Sequence, residues 1–177
     1  WRLRIRDESG SEGDWSETAH WETGLKTSDW QAKWIEPEES GDPKGFKPAP
    51  YLRKCFDAKQ DIVSARLYIT AHGLYEAYLN GKRIGDQVFT PGNTSYAYRL
   101  QYQVYDVLES IQAGENCLGA ILGDGWYRGA INAPSTRNAH GDKVGLLAQL
   151  RITYADGSEQ WVATDSGWKT SSGPLVK

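Results

Sequence analysis

The chain has 177 residues and a net charge of −3, with 39 % hydrophobic and 24 % charged residues. These are the proportions of a folded domain with a real core and some sequence to spare, and they exclude a disordered chain. Lys and Arg are scattered among Asp and Glu, so no basic stripe invites nucleic acid. No apolar run reaches the ~18 residues that a membrane helix needs, so no membrane partner is expected either.

The chain begins Trp1-Arg2-Leu3-Arg4-Ile5-Arg6 and holds no Met. It is therefore expected to be an excised piece, with any targeting segment left upstream and its compartment unknown. Leu3 and Ile5 alternate with three arginines, the period of a strand. Asp7 to Asp14 reads as a turn, and Trp15 to Thr23 as a returning extended segment. Two strands bury no core alone, so residues 1–27 are expected to close a preceding small domain. Trp30-Gln31-Ala32-Lys33-Trp34-Ile35 leads into the main domain, residues 28–177. A long irregular connection over 36–50, rich in Pro, Gly and Glu, comes next.

Strand signals then recur. Extended segments are expected at 51–56, 62–71, 73–79, 100–105, 116–122, 146–154 and 158–163. Asn80-Gly81 is the strongest hairpin signal, since a type I′ turn needs positive φ at both central residues. Ala155-Asp156-Gly157-Ser158 supplies a second tight turn. No helical stripe of a dozen residues stands out. Asp106 to Ile111 suits one short turn of helix. Many short, evenly spaced strands predict an all-β jelly-roll β-sandwich. Cys55 and Cys117 are too few for a disulfide framework and lack zinc-site neighbours, so both are expected to be buried as small apolar residues.

Two segments carry candidate chemistry. Gly123-Asp124-Gly125-Trp126-Tyr127-Arg128-Gly129 sets a carboxylate, an indole, a phenol and a guanidinium between glycines. Charged groups bond vicinal hydroxyls and an indole covers the apolar face of a sugar, so Asp124, Trp126, Tyr127 and Arg128 are candidate sugar contacts. The same segment also suits a structural loop in which Arg128 pairs with an acid. Alternation places Leu74, Glu76 and Tyr78 on one strand face. If that face is the core or a concave groove, Glu76 needs a cation, and Arg83, Arg99 and Arg128 are candidates. The polar loop from Ile131 to Lys143 offers Asn138, His140 and Asp142, though a plain surface loop is the simpler expectation. No catalytic block occurs: carboxylates are numerous but none sits in a recognisable hydrolase pattern.

The stretch Ala65-Arg66-Leu67-Tyr68-Ile69-Thr70-Ala71-His72-Gly73-Leu74-Tyr75-Glu76-Ala77-Tyr78-Leu79-Asn80-Gly81-Lys82-Arg83-Ile84-Gly85-Asp86 resembles the N-terminal domain of bacterial α-L-rhamnosidases of glycoside hydrolase family 78. Thr90-Pro91-Gly92-Asn93-Thr94-Ser95-Tyr96, Gln101-Tyr102-Gln103-Val104-Tyr105-Asp106-Val107 and Leu122-Gly123-Asp124-Gly125-Trp126-Tyr127-Arg128-Gly129 follow in the family's order. The resemblance implies a galactose-binding-domain-like fold and a non-catalytic role in recognising rhamnose-containing glycans. It also implies a catalytic (α/α)6 barrel elsewhere in the polypeptide, and a fibronectin-III-like module ending in residues 1–27. The alternative is a purely structural domain packed on that barrel. Asn93 stands where the family usually has Trp, so no stacking role carries over there. A related rhamnose-binding module holds calcium with an Asp-Asn pair before its Asn-Gly hairpin. His72 and Gly73 occupy those positions, so the calcium site does not carry over and no cofactor is expected.

Overall fold

A computed structural model describes residues 1–39, 41–42, 45–131 and 136–175. Part of the predicted 131–143 loop and the last two residues lie outside them. The chain divides into two compact units, Trp1–Trp30 and Gln31–Lys177. In the first, two extended segments pair antiparallel, with Gly13 N–H donating to Ile5, Ser16 to Leu3 and Ala19 to Trp1. Arg4 and Arg6 both ion-pair with Glu12, and Arg4 also lies over the Trp15 ring at 4.7 Å.

The second unit is a sandwich of two antiparallel sheets. The strands are β1 (Pro50–Ala58), β2 (Ile62–His72), β3 (Leu74–Leu79), β4 (Lys82–Arg83), β5 (Gln103–Asp106), β6 (Gly114–Gly123), β7 (Gly145–Tyr154), β8 (Glu159–Ala163) and β9 (Lys169–Ser172). The five-stranded sheet runs β4-β3-β6-β1-β9 and the four-stranded sheet β5-β2-β7-β8. Among the described residues helix is confined to single turns, including α1 (Gly125–Arg128) just after β6.

Period-2 patterning dictates which side chains meet between the sheets. One layer gives Leu52, Tyr75, Ala77, Leu79, Leu118, Ala120 and Leu122, and the other Ala65, Leu67, Ile69, Ala71, Leu146, Ala148, Leu150 and Ile152, all buried. Asn80 and Gly81 take φ of 53° and 78°, as the type I′ hairpin between β3 and β4 requires. The Asn80 side chain does more than serve the turn. It donates to Ser110 and Asn116 and accepts from Cys117 N–H, tying the hairpin to β6.

The outer faces of the two sheets differ. On the four-stranded sheet, the lead-in segment after Trp30 lies across β7. Gln31 and Ala32 N–H both donate to the Gln149 side chain, Lys33 N–H to Thr164, and Ile35 bridges Leu146. Gln149 is accordingly buried with its oxygen satisfied, which removes the penalty of a sequestered amide. No segment of the second unit is bonded across β3, β6 and β1 in this way among the described residues, and that face forms a groove.

The cysteines correct the sequence expectation. Cys55 is exposed, Cys117 half-buried, and the two form a disulfide across β1 and β6. They sit directly opposite in register. Both Cys117 backbone groups bond to Asn80 on the other side, so toward β1 this is a non-hydrogen-bonded pair. Cα atoms come closest at such pairs, and here they are 4.0 Å apart.

Candidate functional site

The Gly-rich segment predicted to touch sugar splits into three environments. Arg128 is 1 % exposed. Its Nε donates to Asp124 Oδ1 at 2.7 Å, its Nη2 to Glu39 Oε1 at 3.1 Å, and its Nη1 to Glu39 Oε2. Arg137 pairs with the other oxygen of Asp124, and its guanidinium lies over Phe46 at 4.9 Å. Burial works to lower the Arg128 pKa, but the Glu39 hydrogen bonds and the Asp124 charge outweigh it and raise it, so the cation is secure. Asp124 and Arg128 are thus brought together, but into a buried ion cluster that fastens the 36–39 and 137–142 loops to the end of β6.

Tyr127 joins an aromatic stack. Its ring lies parallel to His72 at 4.6 Å, and the other face of His72 lies parallel to Trp34 at 4.0 Å. Tyr96 meets Tyr127 edge-on at 5.2 Å and His140 at 4.7 Å. Trp34, His72 and His140, which share no sequence motif, therefore meet in one cluster. Trp126 is half-buried and touches Phe89 edge-on at 6.0 Å. Phe89 is 65 % exposed at a φ of 58°, an uncommon conformation for a bulky residue.

Burial pushes the His72 imidazole below its ordinary pKa, with the Glu36 carboxylate pulling the other way. An unfolded chain therefore takes up that proton first. Stability from this group is whole above the ordinary histidine range and is lost as pH falls through it. Between about pH 7 and about pH 5, the thermal midpoint should fall further in the native chain than in His72→Phe, which keeps the stack. Parallel curves for the two proteins would show that His72 plays no such part.

Glu76 lies apart from this cluster. Its row on β3 faces outward, while Tyr75, Ala77 and Leu79 face the core. Tyr78 Oη donates to Glu76 at 2.8 Å, and Arg83, one of the three cations foreseen, stands at 3.7 Å. The hydrogen bond to Glu76 is the main reason the Tyr78 phenol titrates above its ordinary value.

This outer face holds a groove of about 660 Å³ lined by Tyr51, Arg53, Tyr78, Gly119, Ile121 and Lys169 among others. Register explains its shape. One cross-strand row reads Ser171, Tyr51, Ile121, Glu76, and the next reads Lys169, Arg53, Gly119, Tyr78, Arg83. Gly119 leaves the second row without a side chain at its middle. A Cβ there would meet the Leu52 carbonyl at 3.3 Å. The gap is flanked by Tyr78 on one strand and Arg53 on the other, with the Tyr51 phenol alongside.

Sequence reading reached Glu76 at the edge of this groove and missed its aromatic walls. The alternation of β1 and β3 carried the only available signal. Among the described residues no cluster of three or more His, Cys, Asp or Glu is arranged to hold a metal ion.

Known proteins match the chain over nearly its whole length. Residues 60–177 match the family model described as "Alpha-L-rhamnosidase N-terminal domain". An alpha-L-rhamnosidase from Alteromonas sp. (strain LOR) is 41 % identical over 183 residues, covering 99 % of this chain and 20 % of that protein. The crystal structure of native alpha-L-rhamnosidase from Aspergillus terreus superposes with a TM-score of 0.93 at 40 % identity, over 99 % of this chain and 21 % of that one. The Streptomyces avermitilis alpha-L-rhamnosidase, solved complexed with L-rhamnose, aligns with a TM-score of 0.69 at 42 % identity, over 74 % of this chain and 13 % of that one. The chain thus spans about a fifth of the length of the curated relatives with the most complete matches. With every strand but β1 and the whole Gly-rich segment inside residues 60–177, and the full-length matches covering β1 as well, the chain belongs to the N-terminal domain family of the α-L-rhamnosidases of glycoside hydrolase family 78.

Proposed function

We propose that this domain is a non-catalytic carbohydrate-recognition module of an enzyme that hydrolyses terminal α-L-rhamnosides, and that it holds glycan in the groove on the five-stranded sheet. The observation that carries this is the gap at Gly119, walled by Tyr51 and Tyr78 and rimmed by charged and hydroxyl groups. A pyranose lays its C–H face on an aromatic ring while its hydroxyls bond polar side chains at the rim, and this face supplies both. The chemistry of hydrolysis belongs to a barrel elsewhere in the polypeptide. The first unit, with its antiparallel pair, reads as the last strands of a preceding fibronectin-III-like module.

A shallow site of this kind binds weakly, so titration by NMR with L-rhamnose and rhamnosylated oligosaccharides is the suitable test. Backbone signals of Tyr51, Tyr78, Gly119 and Ile121 should shift together. Tyr51→Ala with Tyr78→Ala should weaken binding by about tenfold, the worth of the apolar area those rings cover. No shift at these residues with any sugar at high millimolar concentration would defeat the proposal.

The structural alternative has its own support just past the end of β6. Phe89 is exposed, and it packs on a half-buried Trp126. Exposed aromatics of this kind suit a dry contact with the barrel of the same polypeptide. The two readings use different residues, and sugar binding in the groove would defeat a purely structural role while leaving the Phe89 contact untouched.

A further inference from the structure

The charge of the groove narrows its ligand. Arg53 on β1 and Lys169 on β9 are exposed and sit directly opposite one another in register. Like charges at such a pair destabilise a sheet, so an unrelieved pair calls for a reason. Neither cation has a carboxylate partner among the described residues. The adjacent Lys54, by contrast, is held by Asp165 at 2.6 Å. Glu76, the nearest acid on the groove face by register, is already engaged by Tyr78 and Arg83. The next acids along β1 and β6, Asp57 and Glu115, lie beyond the Cys55–Cys117 row.

Among the described residues the end of the groove beside Gly119 is therefore cationic without a paired carboxylate, next to a tyrosine platform. A guanidinium fork matches the paired oxygens of a carboxylate or sulfate, and Lys169 adds a point charge beside it. Resting on the groove reading above, we infer that the ligand is an acidic oligosaccharide. Its anionic sugar, bearing a carboxylate or a sulfate ester, sits against Arg53 and Lys169, and its neighbouring neutral sugar lies on Tyr78.

The test compares four probes on the 177-residue chain by calorimetry and NMR: methyl α-L-rhamnoside, a glucuronate–rhamnose disaccharide, the same disaccharide with its carboxyl reduced to an alcohol, and a rhamnose sulfate. The uronate disaccharide should bind at least about fivefold tighter than its reduced form, as expected for a charge-assisted contact near solvent. Raising salt should narrow that gap. Arg53→Gln with Lys169→Gln should close the gap, lowering affinity for the uronate disaccharide by more than affinity for its reduced form. A preference for the sulfate over the uronate supports the inference equally and identifies the anion.

Equal affinity for charged and neutral forms overturns the anionic ligand but leaves the groove as a sugar site. Silence of the groove signals with all four probes overturns both readings together. The probe comparison on the unaltered chain stands by itself if the double variant folds poorly.

Discussion

Arg128→Ala is expected to destabilise the second unit by roughly 3–5 kcal/mol, the usual consequence of removing one partner from a buried ion pair. On a chain of this size that corresponds to a fall of about 10 °C in the thermal midpoint. The cause is specific. The guanidinium joins Glu39, Asp124 and the Asp142 carbonyl, which come from three separate stretches of chain. Without it two carboxylates face each other, with Arg137 the remaining close cation on Asp124 and Lys47 at 3.9 Å from Glu39. Arg128→Lys should recover only part of the loss, because a point charge cannot bridge both acids as the planar fork does. Below the unfolding transition, sugar affinity should be unchanged in both variants, since Arg128 lies outside the groove residues. Thermal unfolding followed by circular dichroism decides the matter. A loss under about 1 kcal/mol would mean the cluster contributes little beyond what a surface pair gives.

Arg128 also shows where the sequence stopped being legible. Its segment stands out by composition, yet its partner Glu39 lies 89 positions away in an irregular loop that no periodicity could place. The strands themselves were readable wherever one face is buried, as in β2, β3, β6 and β7, because alternation and burial coincide there. β9 carries only exposed Lys169, Thr170, Ser171 and Ser172, so it offered no apolar period to detect. Leu74, Glu76 and Tyr78 do share one face of β3, as alternation requires. Alternation fixes which residues share a face but not which face meets the core, and the partner row of Tyr75, Ala77 and Leu79 took the core. The groove needed more still. Tyr51, Gly119 and Tyr78 come from three strands, and only the pairing register brings them together.

Register likewise explains the cysteines and the second large effect. Reducing the Cys55–Cys117 bond, or replacing both residues by alanine, should cost about 2–4 kcal/mol, because the bond closes a long loop in the unfolded chain. The half-cystines are 62 residues apart, and that loop contains β2 through β5. The native sheet should survive the loss, since β1 and β6 remain paired from Tyr51–Ile121 to Ala58–Gly114. The effect therefore falls mainly on the unfolded ensemble, and the reduced chain should show a steeper dependence of stability on urea as its unfolded state expands. Denatured but unreduced protein should expose no titratable thiol, and two should appear after reduction. Two thiols before reduction would show that the cysteines are free, whereas identical urea curves for oxidised and reduced protein would show that the bond constrains nothing. Because the disulfide occupies the row beside Arg53 and Gly119 on the groove face, a loss of sugar affinity on reduction without loss of fold would further mean that it also holds one end of the groove in shape.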